Sequence, residues 1–233
     1  ARGPIARELS PEGGWNEVIP RVAALEPLLV GREGDLPLGV DPEDNGISRV
    51  ALDIGATEQG WRIDVGNRSG ARIYPWGLAA SPAQPHQSLD WPLVAVRVWC
   101  PTADHQHWVL LQTQLVDDAP PKLPSRGVST MTGERPKPLT AAELEALRLV
   151  FADFLVWPPR PSATPLQLKQ VARQLGVSES AVQERLNGAV AKARRLGLDR
   201  PVRLTEPEYL HVLVGAGYVA PPALDVGRDV SEP

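Results

Sequence analysis

A proline-rich stretch divides this chain of 233 residues into two parts with different sequence patterns. Residues 118–138 contain five prolines and almost no bulky apolar side chains, which is typical of a semi-extended linker. Residues 1–117 contain short runs rich in β-branched and aromatic residues, which favours an all-β domain. Residues 139–222 have apolar residues at helical spacing, which predicts an all-α domain, and residues 223–233 are expected to form a disordered tail.

The strands expected in the first part differ in the strength of their patterns. Residues 60–65 alternate apolar and polar side chains, and residues 94–100 and 108–116 are rich in valine, leucine and tryptophan. Residues 81–90 are expected to form a polar loop. Trp15 and residues 18–25 are compatible with either an edge strand or a short helix.

Charge separates the two parts as well. Residues 1–117 carry nine arginines and no lysine against fifteen acidic residues, whereas residues 118–200 carry thirteen basic against eight acidic residues. Only the second part is therefore suited to nucleic acid. The single cysteine, Cys100, excludes an internal disulfide and suits a reducing cytoplasm. Residues 1–20 lack a signal-peptide pattern, and no apolar run approaches the ~20 residues that span a bilayer, so no membrane contact is expected.

Two arginines and a serine occupy neighbouring strand-to-loop junctions in the first part. The apolar residues 28–30 end at Gly31-Arg32, and the turn residues Asn45-Gly46 precede Ile47-Ser48-Arg49. Guanidinium groups and a hydroxyl are the donors that hold a dianionic phosphate. The alternative from the residues alone is two solvated arginines and a turn serine.

Four short motifs in this part resemble, in order and spacing, the signatures of a forkhead-associated (FHA) domain. They are Gly31-Arg32, Ile47-Ser48-Arg49, Trp61-Arg62-Ile63 and Asn67-Arg68-Ser69-Gly70. The resemblance implies a β-sandwich whose loops at one end bind phosphothreonine peptides. It also implies that Arg32 and Ser48 are phosphate ligands with Arg49 beside them, and that Asn67 and Ser69 belong to the same phosphopeptide-binding set.

The sequence departs from the FHA pattern at two places. The family usually has a histidine three residues after the serine, where this chain has Ala51. It also usually has an Asn-Gly pair after the third motif, where this chain reads Ala71-Arg72-Ile73. In the family the histidine mainly supports the binding loops and the asparagine contacts the peptide backbone, so both departures bear on peptide affinity rather than on the fold.

Helix boundaries in the second part are marked by caps and breakers. Thr140 with Glu143 forms a capping-box pattern at the start of a first helix, which Pro158-Pro159 ends. A second helix is predicted from Thr164-Pro165 to Gly176, and Ser178 is predicted to cap a third.

Residues 171–186 resemble the helix-turn-helix of bacterial transcription regulators, with Gly176 at the turn. Arg203-Leu204 and residues 209–219 would complete a winged variant. The resemblance implies base contacts from Ser178, Ser180, Gln183 and Asn187, and phosphate contacts from Arg173, Arg185 and Lys192. The alternative is a trihelical protein-interaction domain, which the acidic Glu179 and Glu184 favour.

Catalytic and metal-binding patterns are weak in this chain. His105 and His107 form a His-x-His pair without a third ligand nearby in sequence, so a solvated hairpin tip is expected rather than a metal site. No catalytic triad ordering, phosphate-binding glycine loop or zinc quartet is recognisable, and we expect neither enzymatic activity nor a cofactor.

Two functional hypotheses follow. The first is a cytoplasmic, phosphothreonine-dependent signalling protein that couples a Ser/Thr kinase to transcription through double-stranded DNA. The second is a non-enzymatic adaptor that uses both domains to bind proteins.

Overall fold

The computed structural model describes residues 5–9, 26–40, 43–57, 60–100, 107–112, 136–160 and 162–222. The predictions for Trp15 and residues 18–25, for the linker up to residue 135, for His105 and for the tail lie outside these residues.

The N-terminal part is a β-sandwich of two five-stranded sheets. The first sheet has the spatial order β1 (Ile5–Leu9), β10 (His107–Gln112), β9 (Leu93–Val98), β6 (Ala71–Pro75) and β7 (Ser81–Pro82). The second sheet has the order β3 (Leu36–Pro37), β2 (Leu28–Gly31), β4 (Leu52–Ala56), β5 (Trp61–Val65) and β8 (His86–Leu89). Neighbouring strands are antiparallel except β2 and β3, which are parallel.

The core lies between the two sheets and is built from the inward positions of the alternating strands. In the first sheet, Val96 is in register with Ile73 on one side and Val109 on the other, and all three side chains are fully buried. In the second sheet, Ile54 faces Ile63 and both are fully buried as well. Burial of each such side chain stabilises the fold by about 1.5–3 kcal/mol.

The all-β prediction is confirmed within the described residues, although the edge strands β1, β3, β7 and β8 were missed. Residues 86–89 were expected in a polar loop, but they form β8, which pairs with β5. Residues 5–9 form β1 in a segment without a clear pattern. An edge strand pairs on one side only, and β8 exposes polar side chains, so the apolar alternation that marks a central strand is weak there.

Five helices are described in the C-terminal part: α1 (Ala141–Val150), α2 (Ala152–Leu155), α3 (Leu168–Leu175), α4 (Glu179–Arg195) and α5 (Glu208–Gly215). The three predicted caps are confirmed. Thr140 and Glu143 form a reciprocal capping box, Gly176 adopts a left-handed conformation with φ of 65° after α3, and the hydroxyl of Ser178 accepts a hydrogen bond from the amide of Ala181.

The inner face of α4 is also as predicted. Val182 and Leu186 are fully buried and Ala172 nearly so, whereas Gln183 and Asn187 are exposed. This arrangement follows from the 3.6-residue period, which places residues three and four apart on the same side of a helix.

Three helix predictions are wrong in their boundaries or type. The first predicted helix is interrupted at Phe151, seven residues before Pro158, and α3 begins at Leu168 after a Gln167 cap rather than at Thr164-Pro165. The expected wing is a helix, α5, and no strand occurs in residues 136–160 or 162–222. In α5 the spacing of its buried residues explains the difference, because positions 209, 210, 213 and 214 share one helical face.

The helices dock on the end of the sandwich where β6 finishes. The indole nitrogen of Trp76 donates to the carbonyl of Leu155 at 2.9 Å, and Nδ1 of His211 lies 2.8 Å from the carbonyl of Gly77. Gly77 has a φ of 68°, and a Cβ added to it would lie 2.9 Å from a methyl group of Val214. Within the described residues, no helix has both the length and the apolar character needed to cross a membrane.

Candidate anion-binding site

Three loops meet at the end of the sandwich where β6 begins: residues 31–35, 43–50 and 66–70. They border an open cavity of about 630 Å³. The cavity is lined by Arg32, Asn45, Gly46, Ile47, Ser48, Arg49, Val50, Arg68 and Ser69. Among the described residues, the lining set therefore contains three arginines and no acidic side chain.

Gly31 allows the end of β2 to lie directly against the second loop. A Cβ at this position would overlap the carbonyl oxygen of Arg49, so a larger residue would push the two segments apart. With glycine there, the amide of Arg32 donates to the carbonyl of Ser48 at 3.2 Å. The two predicted phosphate ligands are thereby joined through their backbones.

The guanidinium group of Arg32 is held in place by the loop that it faces. Its Nε donates to the carbonyl of Ile47 at 2.8 Å, and its Nη1 donates to Oδ1 of Asn45 at 3.0 Å. Glu43 lies 3.7 Å from the same Nη1. These two hydrogen bonds use two of the five guanidinium N–H groups, and the side chain is 27% exposed, so donors remain for a ligand.

Ser48 is positioned by the third loop. Its hydroxyl oxygen accepts from the amide of Arg68 at 3.1 Å, and its own amide donates to Oδ1 of Asn67 at 3.0 Å. Because the hydroxyl accepts through a lone pair, its proton remains available to donate to an anion in the cavity.

Asn67 connects the loops from below the cavity. Its side chain is 6% exposed, and its Nδ2 donates to the carbonyls of Gly70 at 3.0 Å and Trp99 at 2.9 Å. Both amide hydrogens and the amide oxygen are therefore used within the protein. A direct contact of Asn67 with a peptide stays a prediction, whereas its role in positioning Ser48 is observed.

The remaining polar residues around the cavity are exposed. Nε of Arg49 lies 3.2 Å from Oε1 of Glu33, and both side chains are more than half exposed. Arg68 and Ser69 are exposed too, and the guanidinium of Arg68 has no hydrogen-bond or ion-pair partner among the described residues.

A buried carboxylate, which the sequence did not indicate, anchors the second loop to the sandwich. Oδ1 of Asp44 accepts from the amide of Gly46 and from the thiol of Cys100, both at 2.9 Å, and its Oδ2 lies 2.8 Å from Nε2 of His107. Burial alone would raise the pKa of Asp44, but these hydrogen bonds outweigh it and hold the pKa below its usual value. The carboxylate is therefore charged at neutral pH.

The expectation of a solvated hairpin tip is wrong for His107. Its side chain is 6% exposed because it opens strand β10 and faces Asp44. The sequence contains only a weak indication that Asp44 is buried and paired. An aspartate beside Asn45-Gly46 reads as an ordinary turn residue, and its partner lies 63 positions further along the chain.

The residues predicted to bind DNA fall into two groups. Arg173, Ser180, Gln183 and Asn187 are exposed, and Ser178 is the exposed cap of α4. Arg185 and Lys192 instead form ion pairs with α1. Arg185 lies 3.7 Å from Glu145, and Nζ of Lys192 lies 2.6 Å from Oε1 of Glu143.

The carboxylate of Glu143 accepts hydrogen bonds from Nζ of Lys192 on α4 and from the amide of Thr140 at the start of α1. Burial would raise its pKa, but hydrogen bonds from Lys192 and from the backbone and side chain of Thr140 lower the pKa below its usual value. Its side chain is 12% exposed, so the pair with Lys192 is largely shielded from water. These contacts join α1 to α4.

No family model matches the chain, and no curated protein matches it. Solved structures of FHA domains match the N-terminal half. One is the N-terminal FHA domain of S. cerevisiae Rad53p in complex with a phosphothreonine peptide, with 12% identity, a TM-score of 0.36, and coverage of 47% of this chain and 94% of that one. Another is an FHA domain of Mycobacterium tuberculosis Rv1747, with 16% identity, a TM-score of 0.29, and coverage of 48% and 97%.

Proposed function

We propose that the sandwich is a phosphothreonine-peptide-binding module of a signalling protein and that it acts by binding rather than by catalysis. The observation that carries this proposal is that the guanidinium group of Arg32 and the hydroxyl of Ser48 line the same open cavity. Arg49 and Arg68 line the same cavity, and among the described residues no acidic side chain does.

The binding energy comes from charge-assisted hydrogen bonds to the phosphate. Each such bond contributes about 1.5–3 kcal/mol. Arg32 is held by Ile47 and Asn45 before any ligand arrives, so little side-chain freedom is lost when the phosphate binds. The loop contacts between Ser48, Arg68 and Asn67 have the same effect on the hydroxyl.

The experiment is isothermal calorimetry with a degenerate pool of synthetic phosphothreonine peptides, compared with the same pool unphosphorylated. We expect binding only to the phosphorylated pool. Arg32→Ala should weaken it roughly ten- to a hundredfold. Arg32→Lys should recover part of the loss, because a point charge cannot reproduce the bidentate fork.

A matched control is Arg62→Ala. Arg62 is an arginine of β5 that is 51% exposed, does not line the cavity, and pairs with Asp53 at 3.5 Å and Asp64 at 3.3 Å. The Arg62→Ala substitution should leave peptide affinity unchanged within about twofold. Equal binding of phosphorylated and unphosphorylated pools by the parent protein would refute the proposal.

For the helical part, we propose that it carries the output of the signal, and two candidates remain. One face of α4, which follows the α3–α4 turn, carries the exposed side chains of Ser180, Gln183 and Asn187. Such a face supports contacts with DNA bases, and DNA binding would link a Ser/Thr kinase to transcription. The ion pairs of Arg185 and Lys192 with α1 occupy two predicted phosphate contacts and favour a protein-binding adaptor.

A gel-shift assay with random duplex DNA at two salt concentrations separates the candidates. DNA binding through phosphate contacts weakens steeply with salt, and the exposed Arg173 should contribute to it, so Arg173→Ala should reduce the shift at low salt. The absence of any shift at low salt would leave the adaptor as the function of this part.

A further inference from the structure

Two arginines lie side by side on the outer face of the first sheet. Arg72 of β6 and Arg97 of β9 are directly opposite each other in the sheet register. The neighbouring pair in that register, Ile73 and Val96, is fully buried in the core, so both arginine side chains lie on the outer face. Among the described residues, neither arginine forms an ion pair. Like charges directly opposite on neighbouring strands are destabilising, so this pair is suited to an anionic partner.

The positive charge is confined to this side of an otherwise acidic sandwich. The strands β6, β9 and β10 contain no acidic residue. In the second sheet, by contrast, Asp53 lies opposite Asp64, and Arg62 lies 3.5 and 3.3 Å from them. The net charge of the N-terminal part, which favoured nucleic acid only for the helical part, averages over these two faces.

An exposed indole extends the same face. Trp99 follows β9, is 48% exposed, and is the largest exposed apolar side chain among the described residues. Its amide donates to the carbonyl of Gly70 at 3.0 Å, and its carbonyl accepts from Nδ2 of Asn67 at 2.9 Å. Because the backbone of Trp99 is held from both sides, little freedom is lost when a ligand packs on its ring.

The guanidinium group of Arg97 lies close to two indoles. Its Cζ is 5.1 Å from the ring centre of Trp99 and 5.9 Å from that of Trp108, and the ring of Trp108 contacts Tyr74 with the centres 4.7 Å apart. Such cation–π contacts attract the charge to the ring faces. They leave the N–H groups around the edge of the guanidinium able to donate to an anion.

We propose that Arg72, Arg97 and Trp99 bind single-stranded nucleic acid, with phosphates held by the two arginines and a base stacked on the indole. A single strand presents both phosphates and unstacked bases, and bases stack on exposed aromatic side chains. An acidic protein segment would pair with the arginines but supplies no base for Trp99. None of the three residues lines the anion-binding cavity, so this site is independent of the proposed phosphopeptide site.

The test is fluorescence anisotropy of labelled single strands of about twelve nucleotides with the full chain, in separate DNA and RNA arms at two salt concentrations. Trp99→Ala should weaken binding roughly five- to a hundredfold, and Trp99→Phe should keep most of the affinity because the ring still offers a stacking face. Arg72→Gln should remove one phosphate contact. The slope of the logarithm of the association constant against the logarithm of the salt concentration should then become shallower by about 0.7.

The matched control is Arg62→Gln, which removes the same charge from the outer face of the second sheet, where Arg62 is 51% exposed. This variant should keep the affinity within about twofold and the same salt slope. The midpoint of urea unfolding shows whether each variant is folded. Arg72 is exposed, so Arg72→Gln tests the face even if Trp99→Ala does not fold.

Four results would overturn the proposal. The first is that the parent does not bind single strands at low salt, and the second is that folded Arg72→Gln and Trp99→Phe/Ala variants bind with the parent's affinity and salt slope. The third is an equal loss for single strands and for a duplex of the same sequence in Trp99→Ala, because the bases of a duplex are stacked on one another. The fourth is displacement of the strand by polyglutamate of the same length at equal concentration, which would assign this face to an acidic protein segment.

Discussion

Nε2 of His107 lies 2.8 Å from Oδ2 of Asp44, and both side chains are at most 7% exposed. The contact joins the first residue of β10 to the loop that carries Asn45, Ser48 and Arg49. A buried carboxylate that keeps its charge needs such partners, because an unpaired charge in the interior is strongly destabilising. The geometry of the cavity therefore depends on a pair of residues beneath it.

The first prediction follows from this pair. Among the described residues, His107→Ala leaves the carboxylate of Asp44 with the thiol of Cys100 and the amide of Gly46, and it should lower the free energy of unfolding by about 3 kcal/mol. The measurement is urea unfolding at pH 7. The control is His86→Ala, since His86 also contacts an aspartate at 2.6 Å but is 87% exposed, and it should change stability by less than about 0.5 kcal/mol. Equal effects of the two variants would contradict the buried pair.

The second prediction concerns pH and His211. Burial lowers the pKa of His211 below 6.5, and this outweighs the opposing effects of the Gly77 carbonyl and Glu208. Between the lowered pKa of the folded state and 6.5, the unfolded chain binds more protons than the folded one. The contribution of neutral His211 to the free energy of unfolding is therefore fully present above about pH 6.5. The free energy of unfolding should fall as the pH drops below this value, by up to about 1.4 kcal/mol per pH unit.

The variant that tests this is His211→Gln, whose amide can still donate to Gly77 but does not titrate in this range. Urea unfolding of both proteins at pH 7.5 and 5.5 gives the two slopes. We expect the loss of stability toward pH 5.5 to be smaller in the variant. An equal loss in both would assign the pH dependence to other groups.

The third prediction concerns Gly188 in the middle of α4. Replacing glycine by alanine inside a helix ordinarily stabilises a protein by about 0.5–1 kcal/mol. Here a Cβ would overlap the carboxylate of Glu143, which is held by Lys192 and by the Thr140 cap. We expect Gly188→Ala to give no gain or a net loss in thermal stability. Combining it with Glu143→Ala should restore the ordinary helical gain relative to Glu143→Ala alone, and failure to restore it would show that the carboxylate is not the obstacle.

The fourth prediction concerns Gly77, where α5 packs on the sandwich. Alanine there would be strained at a φ of 68° and would press on Val214, so Gly77→Ala should cost about 1–3 kcal/mol. The control is Gly197→Ala. Gly197 has a φ of 106°, but nothing lies within 4 Å of an added Cβ, so this variant should lose only the stability that backbone strain costs. Guanidinium unfolding monitored by tryptophan fluorescence compares the two.

Peptide affinity should not change in the Gly77 variant. Gly77 follows the end of β6, whereas the 66–70 loop precedes its beginning, and five strand residues span about 16 Å. A tenfold loss of affinity at full folding would show that the helical part and the cavity are coupled through the sandwich.

Local features of this chain were set by the sequence itself. The alternation of residues 61–65, the caps at Thr140, Gly176 and Ser178, and the buried face of α4 all depend on neighbours within a few positions. Backbone period, capping and turn chemistry act over such distances, so a pattern in the sequence reports them directly. The strand ends at Arg32 and Ser48 were local predictions too, whereas the meeting of these two residues at one site was expected from the resemblance.

Only the tertiary structure decided which polar groups pair across long separations. Asp44 with His107, Lys192 with Glu143, and His211 with the carbonyl of Gly77 are 49 to 134 positions apart. Whether such a side chain faces water or a partner depends on how the strands and helices pack, and no local pattern carries that information. The same reason explains why residues 209–215 form a helix against the sandwich rather than a wing, since Gly77 and Val214 meet only in the folded chain.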